Sequence, residues 1–303
     1  MEFGKVHTLG ELNQICFELP AKDSRETRLY THSPEKIPLY LGCPSWNQPS
    51  FLGRLYPKRC SPQEYLFYYA QQLNTLELNT TFYRIPEPKT VTQWRNSTPQ
   101  GFKFCPKVFQ GISRFENLHE IPQLTTAYFE AISHFEDRLG PCFMQLPPQF
   151  SPGYFPILKR FLRLIPSHIQ LSVEFRHPLW FKNQHLIGEA YDLLAERGVS
   201  TVITDTAGKR EVLHSSLTTP SAVIRFVGNE LHLSDFSRME SWAQRLSEWS
   251  DHHLGPFFFM IHQPDQQGYI ELVQLLQKAL AQHLTLTLQP LNETLADPQL
   301  TLL

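Results

Sequence analysis

Eight short apolar runs recur along the chain, and most of them end in a polar residue. They occupy residues 38–46, 75–83, 101–109, 141–148, 170–177, 201–206, 222–228 and 256–263. Runs of this length predict strands, and most of the intervening stretches carry apolar residues at helical spacing. Eight strands alternating with helices predict an α/β protein of (β/α)8 TIM-barrel type, a fold that builds its chemistry at the C-terminal strand ends.

Helices are predicted after Ser61-Pro62-Gln63-Glu64, which supplies an N-cap, a proline at the first helical position and a glutamate three residues after the cap. Further helices are predicted over 89–97, 124–135, 155–165, 188–197, 238–253 and 269–283. The stretch 209–220 is short and polar, so the helix between strands six and seven is expected to be reduced. Residues 1–36 form an N-terminal extension, with a helix expected over 9–19 and a surface loop over 22–35. The barrel is expected to span 37–283. A tail over 284–303 alternates apolar and polar residues, which suits an added strand, a partner-binding arm or a loose end equally.

Alternation along each strand sorts side chains by face. Glu77 pairs with Asn79, Lys103 with Cys105 and Lys107, and Ser172 with Glu174 and Arg176. Ile203 pairs with Asp205, Val223 with Arg225, and Met260 with His262. Gln145 is the polar residue of the fourth run. With these faces turned inward, three carboxylates, two arginines, a lysine and a histidine converge on one mouth. Buried charges persist when paired or when they serve a ligand. A self-neutralising network is therefore the plain alternative for any single member, for example Glu174 with Arg176 or Arg225, or Asp205 with Lys107.

Composition narrows the chemistry. Lysine plus arginine number 27 and aspartate plus glutamate 29, so no broad basic surface for nonspecific nucleic-acid binding is indicated. The five cysteines include no CxxC pair and read as free thiols, as in a reducing cytoplasm. No run approaches the length of a membrane-spanning helix, and the N-terminus lacks a signal-peptide apolar region. No glycine-rich dinucleotide or P-loop motif appears. Arg176, Arg225 and Lys107 suit a phosphate or carboxylate. Two carboxylates suit acid/base work or glycoside hydrolysis. Glu77, Glu174, Asp205 and His262 are the groups a divalent metal would use, although no HExxH or clustered His/Cys spacing is present. Trp46 and Tyr83 follow directly on strands, where aromatic faces can stack on a ligand.

Gly42-Cys43-Pro44-Ser45-Trp46, the stretch Leu76-Glu77-Leu78-Asn79-Thr80-Thr81-Phe82-Tyr83-Arg84-Ile85-Pro86, Gln145-Leu146-Pro147-Pro148 and Val173-Glu174-Phe175-Arg176-His177-Pro178 together resemble the YecE-like family, described as domain of unknown function seventy-two. The resemblance covers roughly residues 38–282. It implies a TIM-type barrel similar to the metal-dependent xylose-isomerase and apurinic-endonuclease type, and no established reaction. The chain departs from the family pattern in its extension, in Cys43-Pro44, and in Ile261-His262-Gln263-Pro264-Asp265, where an Asn-rich segment is usual.

The expectation is a cytoplasmic barrel enzyme, of hydrolase or isomerase type, acting on an anionic substrate that bears phosphate or derives from nucleic acid. Glu174, Asp205 and Glu77 are the candidate catalytic residues. Asn79, Tyr83, Lys107, Gln145, Arg176, His177, Arg225, His262 and Trp46 are the candidate binding residues. No cofactor and no metal ligand is assigned, with a divalent metal left as an alternative. No membrane partner is expected, and the oligomeric state is open. The competing readings are a non-catalytic nucleic-acid or nucleotide-binding module and a carboxylate-pair glycoside hydrolase.

Overall fold

In the computed structural model, which describes residues 4–6, 8–32, 37–264 and 268–283, eight parallel strands curl into a nearly closed barrel. They are β1 (Leu39–Cys43), β2 (Thr75–Leu78), β3 (Lys103–Pro106), β4 (Cys142–Gln145), β5 (Leu171–Glu174), β6 (Ser200–Asp205), β7 (Ala222–Val227) and β8 (Phe257–His262). The ladder runs β3-β2-β1-β8-β7-β6-β5-β4. Only isolated bridges, Phe104 to Leu139 and Lys107 to Phe143, close the seam between β3 and β4. The principal helices around it are α1 (Tyr65–Gln72), α2 (Pro88–Asn96), α3 (Ile121–Ser133), α4 (Phe155–Phe161), α5 (Gly188–Glu196), α6 (Leu233–Asp251) and α7 (Tyr269–His283).

Each strand is buried on both faces, which is why the runs read as nearly continuous apolar segments. The inner faces fill the barrel with Cys105, Phe143, Val202, Val223, Phe258 and Met260, with Tyr40 against them. The outer faces, among them Leu41, Leu76, Phe104, Met144, Val173, Ile203, Ile224 and Phe259, join the larger core beneath the helices.

Helix placement follows the sequence signals with shifted ends. Glu64 reaches back to accept from both the backbone N–H and the hydroxyl of Ser61 at 2.8 Å, but these residues form a turn: the helix starts at Tyr65, after the expected position, and its N-cap Glu64 carries no side-chain cap. Helix α6 begins at Leu233, five residues before the expected start, because the His232 side chain accepts from Ser234 N and caps it there. The expected helix over 9–19 is a single turn, Leu9–Leu12.

The helix between β6 and β7 is replaced by 3-10 turns over Ala207–Val212. Residues 213–219 then return along the outside of β6, where Thr201 donates to the Ser216 carbonyl and Thr218 to the Val199 carbonyl. The N-terminal extension covers this thin place. Segment 22–35 is not a surface loop as far as it is described: Asp23 and Glu26 are buried. Asp23 accepts from Ser216 Oγ at 2.6 Å and from Arg25, while the Trp249 indole donates to Glu26 at 3.2 Å. Tyr30 stacks on His252 with ring centres 3.9 Å apart. The expected tail over 284–303 lies outside the described residues.

Buried in the return segment, His214 accepts from Ser216 N through Nδ1 and meets the Val202 carbonyl through Nε2, each at 3.2 Å. This geometry requires the neutral ring with its proton on Nε2. Burial pulls its pKa down to about 4. The native state therefore binds this proton less readily than the unfolded chain, so stability is full above about 6.5 and falls as pH drops toward 4. A shift of that size corresponds to about 3 kcal/mol. Urea midpoints measured from pH 7 to 4 are expected to fall less steeply in His214→Gln than in wild type; identical slopes would show that the ring does not govern this range.

Candidate functional site

The C-terminal strand ends carry one connected charged network, with Arg225 at its centre. Arg225 projects inward from β7 and lies under the Phe143 ring, with its guanidinium carbon 5.3 Å from the ring centre. Its Nε and Nη2 donate to the two oxygens of Glu77 on β2, each at 2.9 Å. Its Nη1 donates to Glu174 Oε2 on β5 at 2.8 Å. One planar guanidinium thus ties two carboxylates from strands well apart in the ladder, which the fork geometry of arginine allows and a lysine would not.

Further donors reach both carboxylates. Asn79 Nδ2 donates to Glu77 Oε1 at 3.0 Å, and His262 Nε2 lies 2.9 Å from Glu77 Oε2. Glu174 accepts from Arg176 Nε at 2.7 Å and from Gln145 Nε2 at 2.8 Å. Gln145 Oε1 in turn accepts from Lys107 Nζ at 2.9 Å. The network therefore runs His262–Glu77–Arg225–Glu174–Gln145–Lys107, with Arg176 and Asn79 as branches.

The electrostatics follow from this arrangement. Burial raises the Glu174 carboxyl, but the Arg176 and Arg225 guanidiniums and the Gln145 hydrogen bond outweigh it and hold the group at about 2. Glu77 is buried too, yet Arg225 and His262 keep it well below the usual carboxylate range. Burial lowers His262, helped by Arg225 and opposed by Glu77, so the ring is neutral at pH 7 and donates its Nε2 proton to the ionised Glu77. Burial and Arg225 bring the Lys107 ammonium down to about 8, against the opposing pull of Glu77 and Glu174. At pH 7 two carboxylates face three cations, a balance of one positive charge.

The structure brings together Glu77, Asn79, Lys107, Gln145, Glu174, Arg176, Arg225 and His262. It does not bring Asp205 to them. Asp205 and Ile203 do share a face, but it is the outer one, turned toward α6. Asp205 accepts from Trp242 Nε1 at 2.8 Å and from Arg238 Nη1 at 3.2 Å, and pairs with Arg210. It has no pairing with Lys107. The Phe17 ring of the extension covers both of these arginines. His177 caps the short helix Pro178–Trp180, its Nδ1 accepting from Leu179 N. Trp46 packs edge-on against Trp94 of α2, 5.7 Å away. Tyr83 is 70% exposed and lies edge-on against Phe82.

Phe82 and Arg114 were not among the sequence-level candidates. The Phe82 ring holds Lys107 Nζ 4.1 Å from its centre and the Arg114 guanidinium 5.8 Å from it. Phe82 had a signal, since it lies in the same Asn79–Tyr83 stretch; Arg114 had none. The Lys107 backbone is pinned as well, its carbonyl accepting from Thr81 Oγ1 at 2.7 Å and from the Tyr128 hydroxyl at 3.0 Å. Among the described residues no group of three or more His, Cys, Asp or Glu side chains is arranged to hold a metal ion. No helix among them is long and apolar enough to cross a membrane.

These features define an α/β-barrel protein with a charged, internally paired mouth. The chain belongs to the family described as protein of unknown function DUF72, whose model matches residues 40–296. It is similar to UPF0759 protein YecE of Escherichia coli K12, 30% identical over 279 residues that span 86% of this chain and 98% of that protein. Crystal structures of DUF72 family proteins share the fold. One from Enterococcus faecalis V583 gives a TM-score of 0.62 at 21% identity, over 86% of this chain and 100% of that one. One from Thermotoga maritima gives 0.61 at 21%, over 80% and 99%.

Proposed function

We propose that the barrel mouth binds an anionic substrate, phosphate-bearing or derived from nucleic acid, and that the protein is an enzyme acting on it. The observation that carries this reading is the uncompensated cation. Both arginines of the network have a glutamate partner, whereas among the described residues the one hydrogen-bond acceptor of half-buried Lys107 is the neutral Gln145. A cation held without a counter-charge beside Arg176 and Arg114 gives an incoming anion a favourable site at the end of the barrel where ligands bind.

Paired-carboxylate glycoside hydrolysis needs one carboxyl protonated near neutral pH. Glu77 and Glu174 are both held ionised, which speaks against that reading and casts them as positioning groups for Arg225, Arg176 and Lys107. Proton transfer falls to His262, which burial keeps neutral, and to Lys107, which burial and Arg225 bring down to about 8.

Binding of inorganic phosphate and of adenosine 5′-monophosphate, followed by calorimetry, tests the proposal. Lys107→Met is expected to weaken binding about tenfold, or about 1.4 kcal/mol. Wild-type affinity is expected to decline as pH rises through about 8, because the lysine loses its charge there. Equal affinity in wild type and Lys107→Met would remove the reading.

A further inference from the structure

We infer that Lys107 is a nucleophilic amine that forms a reversible imine with a carbonyl group on the anionic substrate. This inference rests on the anion-binding reading and names the substrate class for it: an aldehyde or ketone that also bears phosphate or carboxylate.

The geometry is specific to this lysine. Its Nζ lies 4.1 Å from the Phe82 ring centre on one side and donates to Gln145 Oε1, 2.9 Å away. Among the described residues no carboxylate forms a salt bridge with it, so nothing holds it protonated through direct contact. Burial and the nearby guanidiniums favour a neutral lysine, against the Phe82 ring face, which in cation–π geometry favours the charged form. Gln145 cannot take up the proton, but it fixes the nitrogen, since its own amide is tied to Glu174. Burial and Arg225 bring the group to about 8, so about one amine in ten is neutral at pH 7, against fewer than about one in a thousand for a free lysine. Arg176 and Arg114 are placed to hold the substrate's anionic group while the carbonyl meets the amine.

The reaction balances without a redox partner. The neutral nitrogen adds to the carbonyl carbon, its proton passes to the carbonyl oxygen, and the carbinolamine loses water to give the imine. Water adds back to the imine to release the carbonyl compound and the free lysine amine.

The test pairs glycolaldehyde phosphate with 2-hydroxyethyl phosphate, which keeps the anion and lacks the carbonyl. The protein is treated with glycolaldehyde phosphate and cyanoborohydride, and adducts are mapped by peptide mass spectrometry. The expected result is one adduct per chain at Lys107, at least tenfold faster than at the exposed Lys58, Lys89 and Lys159, and slowed by 2-hydroxyethyl phosphate. Lys107→Arg, if folded, should lose that adduct and keep affinity for 2-hydroxyethyl phosphate. Labelling of Lys107 no faster than the surface lysines overturns the imine, even where 2-hydroxyethyl phosphate binds. Failure of 2-hydroxyethyl phosphate to bind overturns the anion site itself.

Discussion

Arg225→Met is expected to lower the stability of the protein by about 3–5 kcal/mol at pH 7, the usual cost of removing one partner from a buried ionic network. Arg225 is 1% exposed and supplies three hydrogen bonds to Glu77 and Glu174, themselves 1% exposed. Without the guanidinium, Asn79 and His262 still serve Glu77, and Gln145 and Arg176 still serve Glu174. Two desolvated negative charges would nonetheless share the mouth with weaker compensation. The sign of the pH effect separates this account from simple loss of packing. In wild type both carboxyls are depressed, so their contribution is present above about 4.5 and lost as pH falls below that, for Glu174 toward about 2. In the variant, burial raises them, so protonation relieves the penalty as pH falls. The gap between wild type and Arg225→Met in urea midpoint should therefore narrow from pH 7 to pH 4. Adding Glu77→Gln and Glu174→Gln should restore much of the loss at pH 7. A variant within about 0.5 kcal/mol of wild type at pH 7 would show that the network does not hold the barrel together.

That network was legible in the sequence because six of its eight members sit at or just beyond strand ends, and Glu77 one residue inside the end of β2, where strand alternation assigns a shared face. Arg225, inside β7, followed by the same alternation from Val223. Asp205 shows where the method fails. In a parallel barrel strand both faces are apolar, so Val202 and Ile203 look alike and periodicity cannot tell which points inward. The inner positions of β6 are Val202 and Thr204, while Asp205 is claimed from outside by Arg238 and Trp242, residues more than thirty positions later. The reduced helix after β6 was readable from the polar stretch 209–220. What fills its place was not, because the contacts of Phe17, Asp23 and Glu26 span about two hundred residues and no local pattern encodes them.

The same contacts predict that removing residues 1–32 leaves a chain that does not fold stably. The return segment 213–219 is one strand of irregular backbone, not a helix, and the extension supplies its outer cover. Deletion uncovers the Asp205–Arg238–Arg210 group from beneath Phe17 and takes the Asp23 acceptor from buried Ser216. It also strips the Trp249 indole of Glu26, and Arg245 of the Pro20 carbonyl. Each buried donor left without its acceptor costs about 1–3 kcal/mol. Several at once, with the apolar cover lost as well, approach the whole stability of about 5–15 kcal/mol of an ordinary domain. A graded series resolves this from a general effect of truncation. Removal of residues 1–8 takes the Gly4 carbonyl from the buried Thr206 hydroxyl and from Gly208 N–H and should cost about 1–3 kcal/mol, less than the longer deletion. Phe17→Ala should cost an intermediate amount, and Glu26→Ala more than Glu26→Gln, because the glutamine still accepts from Trp249. The 1–32 deletion is expected to be insoluble or to lack a cooperative urea transition. If it instead unfolds cooperatively at the wild-type midpoint, the extension is an ornament and β6 and β7 are covered adequately without it.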